Sequence, residues 1–223
     1  MNKKLSVFFL LGIFSMAFAR EKNIKNHVTE TRLGGFDEIE LVTSSLNIKK
    51  FANNKLNQEE YTVLLVPRKG TVALKYKRLG LKEKLTLDAD ARVSLSESYR
   101  SYLSDYEEKK LDRSKKKFEA KYSKARVRMD WGAFTYNSNV ETIAEYGYMF
   151  VGKSPYFAIH IKSAKSEESK SDITPEYSGS ILFFTRSQLK TLVESISEEN
   201  ISNTLSNLTN ESLNEDDYEE SEY

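Results

Sequence analysis

Three successive runs between Tyr61 and Leu95 alternate apolar with polar residues, and no other feature constrains the fold of this chain as much. Side chains on a strand point to opposite faces with a period of two, so such runs bury one face and wet the other. The first run is Tyr61 to Val66, and Pro67-Arg68-Lys69-Gly70 after it is turn chemistry. The second places Val72, Leu74 and Tyr76 on one face, and Leu79-Gly80-Leu81 ends it. The third sets Leu85, Leu87, Ala89, Ala91, Val93 and Leu95 against Thr86, Asp88, Asp90, Arg92 and Ser94. Three such strands in sequence predict an antiparallel meander.

A weaker alternation precedes them: Ile39, Leu41 and Thr43, then Leu46 and Ile48, with a polar connector from Ala52 to Glu60. Past Leu95 the period changes. Ser94-Leu95-Ser96-Glu97 has the spacing of a capping box, and Tyr99, Leu103, Tyr106, Leu111, Phe118 and Tyr122 recur at mostly helical intervals without Gly or Pro. This predicts a helix over about 96–123. Strands resume with Ala125 to Gly132, Tyr146 to Val151, Tyr156 to Ile161 and Ser180 to Phe184, with an exposed loop from Ser163 to Gly179. Leu189, Leu192, Val193 and Ile196 predict a short helix over about 186–197. The fold class expected is α+β: an antiparallel sheet of about 7–8 strands, one long amphipathic helix and a short C-terminal helix.

The ends of the chain read differently. Lys3 and Lys4, the apolar stretch Leu5 to Phe14 and Ala17-Phe18-Ala19 form the three parts of a signal peptide, residues 1–19, cut after Ala19. That apolar stretch is shorter than the ~20 residues needed to span a membrane. A flexible leader over 20–35, a single domain over 36–197 and an acidic tail over 198–223 follow; the tail holds nine acids and no base, which predicts disorder. The whole chain has 34 basic and 33 acidic residues, and loss of Lys3 and Lys4 with the signal leaves 32 against 33. That balance indicates no dedicated nucleic-acid binder. The absence of cysteine excludes disulfides, thiolate metal sites, cysteine nucleophiles and a lipidated cysteine anchor. An exported domain without cysteine is expected in a bacterial envelope, in the periplasm or outside the cell.

Few patterns carry chemistry. Gly147 to Ser154 satisfies the phosphate-loop formula, but its four intervening residues are bulky and apolar, and Pro155 follows where a helix would begin. A hairpin turning at Gly152-Lys153-Ser154-Pro155 is expected instead. Asp88 and Asp90 would share the polar face of a strand, at a spacing that could serve glycoside hydrolysis or simply meet solvent. His27 and His160 are the only imidazoles, and no nucleophile elbow or zinc-protease motif occurs. No catalytic residue, metal site or cofactor is assigned.

Two surfaces remain as binding candidates. Aromatic residues are dense between Trp131 and Phe157, and Trp131, Tyr136, Tyr146, Tyr148 and Tyr156 are the candidate ligand-binding set. The segment from Lys109 to Lys124 is strongly basic, and Lys109, Lys110, Arg113, Lys116, Lys117 and Lys121 form a candidate patch for an anionic partner. The expectation is an exported, non-catalytic binding or structural module that meets an anionic envelope polymer, a membrane surface or another envelope protein. The alternative is a carboxylate-dependent hydrolase of envelope saccharide.

Overall fold

The structure is a computed structural model that describes residues 38–49, 55–114, 117–166 and 175–207. The expected signal peptide and leader, His27, Lys116, residues 167–174 of the expected loop and residues 208–223 of the tail lie outside the described residues.

The described residues form ten strands: β1 (Ile39–Lys49), β2 (Leu56–Val66), β3 (Thr71–Arg78), β4 (Leu81–Leu87), β5 (Lys124–Gly132), β6 (Ser138–Val151), β7 (Ser154–Ile161), β8 (Ala164–Lys165), β9 (Glu176–Tyr177) and β10 (Ser180–Phe184), of which β8 and β9 fall within the stretch expected as an exposed loop, where Tyr177 is buried. Eight of them close into an antiparallel barrel in the order β1-β10-β7-β6-β5-β4-β3-β2, and β8 and β9 pair separately. The expected α+β architecture is present, with the sheet closed on itself. Residues 56–60, expected as connector, belong to β2.

The inner face of the barrel follows the period of two. Tyr61, Val63 and Leu65 face inward with Val72, Leu74, Leu85, Leu87, Met129, Phe157, Ile159, Leu182 and Phe184, all buried. An eight-stranded barrel is just wide enough for such side chains to fill. Tyr61 and Phe184 meet edge to face across it, with centroids 6.1 Å apart.

The helix after β4 begins earlier and ends earlier than its sequence suggests. Helix α1 spans Ala89–Glu107, because Asp88 is extended and its carboxylate accepts the Ala91 N–H at 2.8 Å. Ala91, Leu95, Ser98 and Tyr102 form the buried stripe at helical spacing, whereas Val93, which the alternation would have placed inside, is 51% exposed. Ser94 therefore lies within the helix and caps nothing. At the other end Lys109 adopts φ +58°, its N–H reaches the Tyr106 carbonyl, and the Lys110 N–H reaches the Asp105 carbonyl. These two bonds are a Schellman stop, usually made by glycine.

Residues past the stop cross the outside of the barrel. Glu119 bridges Tyr148 of β6 through backbone hydrogen bonds in both directions. Phe118 packs on an outward-facing cluster of Met149, Ala158 and Phe183. Gly147 permits this crossing, since a Cβ there would lie 1.8 Å from the Glu119 carbonyl oxygen.

Helix α2 (Arg186–Ser195) follows β10 and opens with a full capping box between Thr185 and Gln188. Both helices leave the same end of the barrel and touch one another there. Residues 198–207, read from sequence as the start of the disordered tail, are helical, and Glu198 pairs with the buried Arg92 at 2.5 Å.

Gly147→Ala is expected to cost about 3 kcal/mol or more through the backbone clash with Glu119. Lys109→Gly is expected to add roughly 1 kcal/mol by relieving the left-handed residue. Urea denaturation of the two variants measures both.

Candidate functional site

The candidate aromatics do not converge. Tyr146 and Tyr148 point into the barrel at its helical end and are buried. Tyr146 stacks on Phe157, and Tyr102 of α1 meets Phe157 edge to face at 5.5 Å. Trp131 lies at the opposite end, half-buried, 5.4 Å from the ring of Tyr177. Tyr136 is half-buried with the Lys84 ammonium over its face at 5.1 Å, and Tyr156 packs on the outer wall against Phe183. Most of the density that looked like a binding face is core and wall packing.

The string from Gly147 to Ser154 is a strand and a tight turn: Val151 pairs with Ser154 and Phe150 with Pro155, leaving Gly152, at φ +63°, and Lys153 as the turn. Asp88 is spent as a helix cap and Asp90 lies in the first turn of α1, so the two do not flank a strand face. His160 lies on the outer wall with its Nδ1 3.3 Å from Glu145, which also holds Lys162 at 2.6 Å. The Lys162 hydrogen bond is the main reason that the Glu145 carboxyl sits below its ordinary range. Among the described residues no three His, Asp or Glu side chains are grouped to hold a metal ion. No helix there is long and apolar enough to cross a membrane.

One buried charge sits inside the barrel. Glu83 of β4 is fully buried near the end opposite the helices, 2.7 Å from the Arg78 Nε. The Tyr177 hydroxyl donates to its other oxygen at 3.1 Å and lies 2.6 Å from the Ser180 hydroxyl. A buried carboxylate stands only when paired in this way. Arg78 comes from β3 and Tyr177 from β9, and Ser180 of β10 holds the Tyr177 hydroxyl, so the group ties the small β8–β9 sheet to the barrel.

The basic candidates are sorted by their neighbours. Lys110 is held by Glu108 at 2.5 Å, and Lys121 by Asp105 at 2.6 Å. Lys117 is exposed. Lys109 and Arg113 border a pocket of about 500 Å³ at the helical end, together with Tyr106, Leu111, Phe150, Pro155 and Arg186. The Arg186 guanidinium lies 4.0 Å from the Tyr106 centroid. The Arg113 guanidinium lies 6.0 Å from that of Phe150 and donates to the Lys153 carbonyl at 3.4 Å. Among the described residues neither arginine nor Lys109 has a carboxylate partner, and Glu107 is the one acid on the rim. Sequence reading found two of the three cations and missed Arg186, which joins them only through the packing of α2 on the end of α1.

The fold and this site define a closed antiparallel eight-stranded barrel, capped by helices at one end, with a cationic and aromatic pocket on its outside. The chain belongs to the family described as "Uncharacterised Treponema protein", which matches residues 38–203. No curated protein and no solved structure matches it.

Burial also fixes how the tyrosines ionise. It pushes Tyr61 up to about 12, and Tyr102, Tyr146 and Tyr177 are raised further, chiefly by the same desolvation. Each folded value lies above the ordinary value of about 10, so the folded state resists deprotonation that the unfolded chain accepts. Stability is expected to be full below pH ~10 and to fall as pH rises through the raised values. In a titration followed at the tyrosinate absorbance, these groups should appear together with unfolding. Smooth ionisation near pH ~10 with the fold intact would show them on a wetted face.

Proposed function

We propose that this protein is an exported bacterial envelope protein that binds an anionic partner without transforming it, and that the binding site is the pocket of Lys109, Arg113 and Arg186. The observation that carries this reading is the trio of cations without carboxylate partners among the described residues, around about 500 Å³ of open volume. Two neighbouring cations, Lys110 and Lys121, are by contrast neutralised, by Glu108 and Asp105. Arginine offers a planar fork of donors that matches carboxylate and phosphate oxygens, and each guanidinium is already oriented against an aromatic ring. Pro155 and Phe150, fixed by the β6–β7 hairpin, give the pocket a rigid apolar wall.

The location at an envelope rests on the signal-like start of the chain and its lack of cysteine. A binding role is supported further by the employment of the acidic side chains. Glu83 is locked in an ion pair, Asp88 caps a helix, and Glu145 holds Lys162 and His160. None of these three lies beside the pocket, where Glu107 is the single acid among the described lining residues, whereas a carboxylate-dependent hydrolase of saccharide would require a pair.

The test uses residues 20–223 and two fluorescent polyanions, polyphosphate and poly-glutamate, which separate phosphate from carboxylate chemistry. Binding is expected to weaken roughly twenty- to fortyfold between about 50 and 200 mM salt, as three neutralised charges imply. The triple substitution Lys109→Gln, Arg113→Gln, Arg186→Gln should abolish it with the fold intact. Equal binding by that variant, or none by the wild-type chain, would sink the proposal.

A further inference from the structure

The end of the barrel opposite the helices carries a second surface of different chemistry. Among the described residues only three large apolar side chains stand out as exposed, and two of them are here: Phe134 at 88% and Leu79 at 57%. They occupy the tips of neighbouring hairpins. Leu79 lies in the turn between β3 and β4, Phe134 in the loop between β5 and β6, and β4 pairs with β5 up to Lys82 opposite Gly132, next to both tips.

Both residues sit in turns of defined backbone geometry. Leu79 and Gly80 have φ of +54° and +83°, a two-residue turn of the kind in which Asn-Gly is preferred. A leucine in the left-handed region is strained, and asparagine would serve the turn better. The Phe134 loop folds back onto Gly132, where a Cβ would meet the Thr135 carbonyl at 1.8 Å. The Asn137 N–H donates to that same carbonyl at 3.1 Å.

Charge follows the same pattern. Lys77 and Lys82, just behind the Leu79 tip, sit directly opposite one another across β3 and β4 and are exposed. Like charges in that register repel. The next lysine pair along the same face, Lys75 and Lys84, is relieved by Glu38 at 2.5 Å and Asp130 at 3.7 Å. Lys77 and Lys82 have no such relief among the described residues.

A strained leucine, an unshielded phenylalanine and an unrelieved lysine pair are each unfavourable for the isolated fold, and they coincide within two adjacent hairpin tips. We infer that this end docks on an anionic phospholipid surface, with Leu79 and Phe134 entering the acyl boundary and Lys77 and Lys82 at the headgroups. An apolar wedge of two side chains gives only shallow, reversible binding alone, and lysines alone hover above the surface, so stable docking needs both. The two tips supply both. This inference is independent of the pocket at the helical end.

The experiment is flotation of residues 20–223, which retain every described residue and omit the apolar segment that would itself enter lipid. The vesicles are pure phosphatidylcholine, or phosphatidylcholine with roughly a quarter phosphatidylglycerol. Binding is expected only to the anionic vesicles. Leu79→Asn with Phe134→Ser should weaken it about thirtyfold or more, while circular dichroism and a thermal midpoint at or above wild type show the turn intact. Lys77→Gln with Lys82→Gln should weaken it about tenfold or more. Lys69→Gln with Lys153→Gln, which removes two exposed charges from the helical end, should leave it unchanged. Wild-type chain that fails to float, that floats equally with neutral vesicles, or that floats unimpaired after the Leu79 and Phe134 substitutions would overturn the inference. So would loss of flotation in the Lys69 and Lys153 variant alone, which would move the lipid contact to the other end.

Discussion

The structure depends on one short seam. β1 pairs along its length with β2, but among the described residues it meets β10 at only two registered positions, Asn47 with Phe183 and Ile48 with Leu182. Without that seam the barrel is an open sheet with two long edges and a half-exposed inner face. Side chains reinforce what the backbone supplies sparingly. The Asn47 Nδ2 donates to the Phe183 carbonyl and to the Gln188 Oε1, and the Gln188 Nε2 donates to the Ser45 hydroxyl. Gln188 is also the third residue of α2, where its side chain accepts the Thr185 N–H. One amide thus caps a helix and joins the first strand of the barrel to its last. Closure removes both edges, which otherwise template association with other chains.

Closure also decides where binding can occur. An interior filled by Tyr61, Tyr146, Phe157 and Phe184 leaves the outside and the two ends to meet partners. The ends differ because different connections were inserted there. β4 and β10 each feed a helix at one end, and the abrupt stop of α1 at Lys109 brings Lys109 and Arg113 beside Arg186. At the other end the connections include tight hairpins and the small β8–β9 sheet, held down by Tyr177 on Glu83. The cationic pocket lies at the helical end, and the apolar tips, with Lys77 and Lys82 behind one of them, lie at the other.

Much of the sheet was legible in the sequence because period-two alternation is a local property of a half-buried strand, and β3, β4, β5 and β7 follow it closely. Closure was not legible, since it rests on contacts between Asn47 and Phe183, which are far apart in sequence. The start of α1 was obscured because Ala91 and Leu95 satisfy both periods; only the exposure of Val93 separates them. Its end was hidden for a different reason. A Schellman stop built on lysine lacks the glycine that would mark it, and the aromatics beyond it, Phe118 and Tyr122, recur at helical spacing while packing on β6 and β7. Half of the pocket was visible as a basic run. The rest, Arg186 with Tyr106 and Phe150, depends on how α2 and the β6–β7 hairpin meet the end of α1.

The measurement that bears most directly on this account is native-state amide hydrogen exchange at the seam, in the wild-type chain and in Gln188→Ala. If the seam governs the fold, the amides in the β1–β10 pairing exchange only with global unfolding in the wild type. In the variant they should open at lower free energy, while the centre of β3 to β6 stays protected. Seam amides that already exchange as fast as the loop residues 133–137 in the wild type, with the remaining strands protected, would contradict it and describe an open sheet instead.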